Sequence, residues 1–308
     1  MELASITAGQ VVMLFLLIGC GVLAVKTGVL RPEGKQTLSN LLVYLVVPAM
    51  IVHSYMMDFS MEILRNLLAA FGMSLLALGV GVILTLLLTA HRKDSRTPIF
   101  RFACVFSNAA YMGFPLISAL FGSEGLLYAS AYVTVFNILL WTMGYGMVSG
   151  KSDLGEILHS LLKTPVLYAI AIGLTIYLFQ IPVPRLIAQP LELLAGMNTP
   201  LSMIITGMLL AAGDLKSILG DFRIWKLAAV RMLLIPLVCV GLFALMGFHG
   251  MTAQVVLLLE CCPAASITSV FAVQFGHDEH FAAGSVVLTT LLSILVLPLC
   301  ALILTILM

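Results

Sequence analysis

The stretch SNAAYMGFPL, residues 107–116, lies in the middle of a long apolar run. Pro115 has no backbone N–H, and its ring clashes with the carbonyl of Tyr111 one turn back. Phe114, as the residue before proline, is pushed out of the α region. Gly113 adds freedom to leave the helix. The pattern predicts a helix that breaks at Gly113 and Pro115, with the polar Asn108 and Tyr111 beside the break. Lipid offers no partner to the backbone groups so freed, and each would cost several kcal/mol. Such a break therefore needs protein or a water-filled cavity around it.

Composition supports a membrane setting. The chain has 308 residues, 61% of them hydrophobic and 9% charged, with a mean hydropathy of +1.14. An ordinary soluble domain is about a quarter charged. A net charge of +1 gives no reason to expect a nucleic-acid partner. The six cysteines all fall in apolar stretches and form no CxxC or Cys/His metal pattern. The first apolar stretch has no basic region before it and no clean small-residue site after it, so it reads as a span and not as a cleavable signal.

Ten stretches approach the roughly 20 apolar residues that a membrane helix needs. They are 6–25, 38–57, 66–90, 100–121, 125–148, 164–181, 190–212, 224–247, 251–275 and 281–307. One set of alternate links carries Lys26, Arg31, Lys35, Arg92, Lys93, Arg96, Arg101, Lys151, Lys163, Lys216, Arg223 and Lys226; the other carries only Arg65 and Arg185. Twelve against two orients the chain with both termini outside the cytoplasm. Arg231, the fifteenth basic residue, falls inside the eighth stretch.

The second half echoes the first. LLAAFGMSLLAL (67–78) matches KLAAVRMLLIPL (226–237), FGSEGLLYAS (121–130) matches FGHDEHFAAG (275–284), and Pro48 has a counterpart in Pro200. Because five spans is an odd number, the second copy enters from the other side, as in the inverted repeats of many secondary transporters. The expected fold is all-α and integral to the membrane, with ten transmembrane helices as two inverted five-helix repeats. The repeats are 1–149 and 164–308, joined by a cytoplasmic connector at 150–163.

The ninth stretch has a defect like that of the fourth. LECCPAASITS (259–269) puts Pro263 in mid-span, with Glu260 before it and Ser266, Thr268 and Ser269 after it. Two broken helices at corresponding places in two inverted halves point to a transport site. Half-helices starting there would turn positive dipole ends on the crossing, which favours an anion. Pro48, Pro200 and Pro236 read as ordinary packed kinks.

These motifs, in this order, resemble those of the auxin efflux carrier family. NAAYMGFPL is similar to its span-four signature, an Asn followed five residues later by Gly-x-Pro-Leu. TPVLYAIAIG (164–173), RMLLIP (231–236), PAASITSVFAVQFG (263–276) and TTLLSILVLPL (289–299) resemble the family's spans six, eight, nine and ten. The resemblance covers the whole chain. It implies ten spans, a crossover of spans four and nine, and movement of organic anions. The long central loop of many plant carriers is absent, and Val166 stands where they carry an Asn after the span-six proline. The resemblance thus implies a bacterial member similar to the malate and malonate permeases.

The expected function is a secondary transporter that moves a small organic anion bound beside the crossover, by alternating access. Asn108, Tyr111, Gly113, Pro115, Pro263, Ser266 and Asn198 are the candidate binding residues. Glu260 and Arg231, charged within spans, are candidates for coupling or gating, or for a structural pair holding spans eight and nine. HDEH (277–280) reads as a loop whose Asp278 and Glu279 cap the last span, ahead of a metal reading. No Ser/His/Asp set, phosphate loop or HExxH argues for an enzyme. The rival is a membrane sensor of a small organic acid without net transport. No cofactor or metal is expected; a coupling proton or sodium ion and a homodimer stay open. The expected location is the inner membrane.

Overall fold

The computed structural model describes residues 2–91, 94–150, 155, 163–213 and 215–307. The connector expected at 150–163 lies mostly outside them, as do Arg92 and Lys93. Among the described residues all regular structure is helical, and the sole extended pairing is an isolated bridge between Ser107 and Ala264.

In chain order the elements used below are α1 (Glu2–Lys26), α2 (Gly34–Ser54), α3 (Met61–Thr89), α4 (Thr97–Val105), α5 (Ala109–Ser149) and α6 (Pro165–Phe179). They continue with α7 (Arg185–Ala211), α8 (Phe222–Leu245), α9 (Gly250–Glu260), α10 (Ile267–Gln274) and α11 (Glu279–Leu307). Seven of these, α1, α2, α3, α5, α7, α8 and α11, are long and apolar enough to cross a membrane. α6 and α9 are apolar but shorter. α5 has 41 residues, which as a straight rod would be about 60 Å long, twice a bilayer core. It breaks at Gly122, whose φ of 60° and ψ of −148° suit only glycine. That break falls between the fourth and fifth apolar stretches of the sequence.

Caps mark several starts. The Ser60 hydroxyl accepts from the Ile63 N–H at 3.5 Å ahead of α3. Asp221 accepts from the Arg223 N–H at 2.8 Å ahead of α8, and Asp278 from the Phe281 N–H at 2.8 Å at the start of α11. Each satisfies an amide that has no partner within its helix. HDEH therefore holds the last helix's cap, as expected of Asp278.

The prolines behave differently from the expectation. Pro48, Pro115 and Pro236 each follow a five-residue π turn: Leu42–Val46, Ala109–Gly113 and Val230–Leu234. The widened turn carries carbonyls away from the ring. The proline then stands in the first turn of the next α segment, where a missing N–H costs least. The chain is therefore helical straight through Gly113 and Pro115, and Pro48 and Pro236 are built as Pro115 is. Pro200 stands in the first turn of Asn198–Ala211, so it also spares the helix an interior defect. The non-helical segment lies earlier than expected, at 106–108, and Phe106 is extended (φ −97°, ψ 116°). Around Pro263 the chain is non-helical from 261 to 266, where the sequence puts the break.

Packing gathers α3, α5 and α9 on one another, α1 on α7 and α11, and α2 on α6 and α7. Small residues permit the closest approach. A Cβ at Gly21 would strike the Ile204 backbone, and one at Gly207 the Ile18 carbonyl.

Candidate site at the paired helix breaks

The two interrupted segments lie against each other. The Asn108 N–H donates to the Pro263 carbonyl at 2.7 Å, and the Ala265 N–H to the Phe106 carbonyl at 2.9 Å. The Ala264 N–H is met by the Thr289 hydroxyl of α11 at 3.1 Å. Backbone groups freed from both helices thus find partners in each other, as a buried break requires. Gly113 serves this closeness and not the break itself. A Cβ there would run into the Leu259 side chain and come within 3.4 Å of Cys262 Sγ.

Arg231 and Glu260 are wholly buried and paired, Nη1 to Oε1 at 2.7 Å. The guanidinium also donates to the carbonyls of Cys104 (3.0 Å), Val105 (3.3 Å), Cys262 (3.2 Å) and Glu260. These carbonyls close the C-terminal ends of α4 and α9. The second Glu260 oxygen accepts from the Tyr132 hydroxyl at 2.7 Å, and Tyr132 meets Ser107 Oγ at 3.0 Å. A buried carboxylate needs such compensation, because its removal from water is costly. Tyr132, Ser107 and Thr289 were absent from the sequence candidates. The apolar stretch of Tyr132 also holds Tyr128 and Tyr145, so nothing in the sequence sets Tyr132 apart from them.

The opposite ends are left less satisfied. α5 and α10 begin at the breaks, and the first N–H groups of a helix have no partner within it. Among the described residues, Asn108 Nδ2 and the hydroxyls of Ser266, Thr268 and Ser269 are buried without a hydrogen-bond partner, as are both amide atoms of Asn198 and the hydroxyls of Thr85 and Thr290. An unmet buried polar group costs about 1–3 kcal/mol. Asn108, Ser266, Thr268 and Ser269 lie on the segments that form the two breaks, and such groups call for a ligand or water.

The remaining candidates scatter. Pro115 is buried beyond the π turn. Tyr111 is half-buried, with its hydroxyl against Ser39 of α2. Asn198 lines a cavity of about 270 Å³ with Met50, His53, Ser118, Glu192 and Thr199. Its helical segment packs on the turn Ala109–Gly113 that follows Asn108.

Away from the breaks, three loops are bound by charge. Arg96 pairs with Asp221 at 2.7 Å and Asp278 at 2.6 Å, and Arg223 pairs with Asp94 at 2.6 Å. Burial acts to raise the Asp278 pKa, but the Phe281 N–H and the Arg96 guanidinium outweigh it and hold the carboxyl below the usual range.

Comparison with known proteins gives the family. The chain is 27% identical over 276 residues to an uncharacterised transporter of Methanothermobacter thermautotrophicus, covering 88% of this chain and 90% of that one. It is 28% identical over 300 residues to an uncharacterised transporter of Methanocaldococcus jannaschii, covering 94% and 96%. The family model described as membrane transport protein matches residues 6–160 and 152–301. With its apolar helices, this chain is a multi-pass membrane protein and belongs to the membrane transport protein family.

Proposed function

We propose that the protein is a secondary transporter for a small organic anion, bound beside the paired breaks and released by alternating access. The observation that carries this is an imbalance. The acceptor ends of the interrupted helices, at α4 and α9, are answered by Arg231. The donor ends, at α5 and α10, have beside them the unpartnered groups of Asn108, Ser266, Thr268 and Ser269. A carboxylate supplies what is missing there, several acceptor lone pairs and a negative charge for the helix N-termini.

In this reading the chain forms ten spans in two inverted repeats, 1–149 and 164–308, that cross at the breaks. Both termini lie on the non-cytoplasmic side of the inner membrane. Asn108, Ser266 and Pro263 form the substrate site, with Gly113 and Pro115 setting its shape. Tyr111 and Asn198 line the way in, and a malate- or malonate-like dicarboxylate is the first substrate to try. The test is flux into proteoliposomes, screened over dicarboxylates and aromatic acids with and without ion gradients. Saturable uptake of one anion supports the reading. Tight binding with no flux would replace it with a sensor.

A further inference from the structure

The buried arginine does more than pair with Glu260. Of its five hydrogen bonds, one goes to that carboxylate and four to main-chain carbonyls, those of Cys104, Val105, Glu260 and Cys262. The carbonyls belong to the C-terminal ends of two different helices, α4 and α9. Each such end carries roughly half a negative charge, and Glu260 adds a full one. An oxygen set of main-chain carbonyls and one carboxylate, gathered at interrupted helices, is the chemistry that hard cations seek. Here the cation is covalently attached. The π turn Val230–Leu234 carries Arg231 at the point where α8 passes the breaks. Arg231 is 0% exposed.

We propose that Arg231 is a tethered cation filling a monovalent-cation site formed by the ends of α4 and α9, so that neither the pairing of the breaks nor transport depends on sodium. A plain structural ion pair would need only the carboxylate. The four carbonyl contacts are what a plain pair leaves unexplained. They make the arginine the group that joins the two half-helices. The claim about flux rests on the transport reading; the claim about the cation site does not.

The experiment uses the purified full chain at constant ionic strength, in choline, sodium or millimolar guanidinium chloride. Thermal unfolding is read in detergent and anion flux in proteoliposomes. The wild type should unfold at the same temperature in sodium and in choline, and its flux should not change when the sodium gradient is removed. Arg231→Ala should unfold at a lower temperature and lose about a hundredfold in flux, since it leaves Glu260 buried and unpaired. Guanidinium should restore much of both, sodium some, and choline none. Sodium stabilisation or stimulation of the wild type would overturn the proposal. So would an Arg231→Ala protein with undiminished stability, or one that guanidinium rescues no better than choline. If Arg231→Ala does not fold, the wild-type sodium comparison and Arg231→Lys decide. The lysine variant should keep part of the stability, because it keeps the charge, and loss as complete as in the alanine variant would count against the proposal. Absence of flux in the wild type would strike the transport reading alone, since unfolding tests the cation site without it.

Discussion

Gly113 stands out in the sequence for one reason and matters to the packing for another. In the sequence it stands beside a proline and reads as a helix breaker. In the structure the helix passes through it, and its missing side chain makes room for Leu259 of α9. Gly113→Ala should therefore act by overpacking, costing about 1–3 kcal/mol. Denaturation of the purified variant would measure this, and a stability equal to that of wild type would show that α9 can yield. Asn108, Pro263, Glu260 and Arg231 were legible because a polar or helix-breaking residue is conspicuous in an apolar stretch. Tyr132 and Thr289 were not, since their hydroxyls gain meaning only from the neighbours that the fold brings to them. Tyr111 and Asn198 were legible as polar, but sequence spacing could not tell that one meets α2 and the other lines a cavity with Met50 and Ser118.

At the scale of elements, both breaks were legible in kind; the first is displaced in position, to 106–108, and the second lies around Pro263 as expected. Proline rules describe an α-helix, and they miss a π turn that widens the backbone ahead of the ring. The same device recurs before Pro48, Pro115 and Pro236. Restoring the N–H with Pro115→Ala should let the π turn tighten by one residue. That would rotate the preceding chain by about 100° and swing Asn108 away from the Pro263 carbonyl. The variant should keep its expression but lose most of its flux, whereas Pro48→Ala, far from the breaks in sequence, should be milder. Equal losses in both would show that the π turns matter only for packing. The fourth, fifth and ninth apolar stretches were the hardest to delimit by length. One is cut at 106–108, one is joined to its neighbour through Gly122, and one is divided around Pro263.

At the scale of the whole molecule, charge holds one end of the bundle together. Arg96 joins the loops before α4, α8 and α11. The Asp278 pKa is lowered on folding, so this pair stabilises the protein above the ordinary aspartate pKa of about 3.9 and loses that contribution as pH falls through the lowered value. Stability should therefore respond to Asp278 little between neutral pH and about pH 4. Below that it should fall, and Asp278→Asn should be less stable at neutral pH and less acid-sensitive. An acid profile unchanged by the substitution would remove Asp278 from the account. The orientation drawn from twelve basic residues against two predicts that a reporter fused after Met308 is external and that one placed in the loop near Arg96 is cytoplasmic. A cytoplasmic C-terminus would contradict both the ten-span count and the inverted repeat. The central claim is that the paired breaks hold the transported anion, and the most direct test is the affinity of Asn108→Ala for whichever anion the flux screen identifies. Loss of one hydrogen bond to a charged group should weaken binding about ten- to a hundredfold, with the unfolding temperature unchanged. Wild-type affinity in the folded variant would contradict the claim.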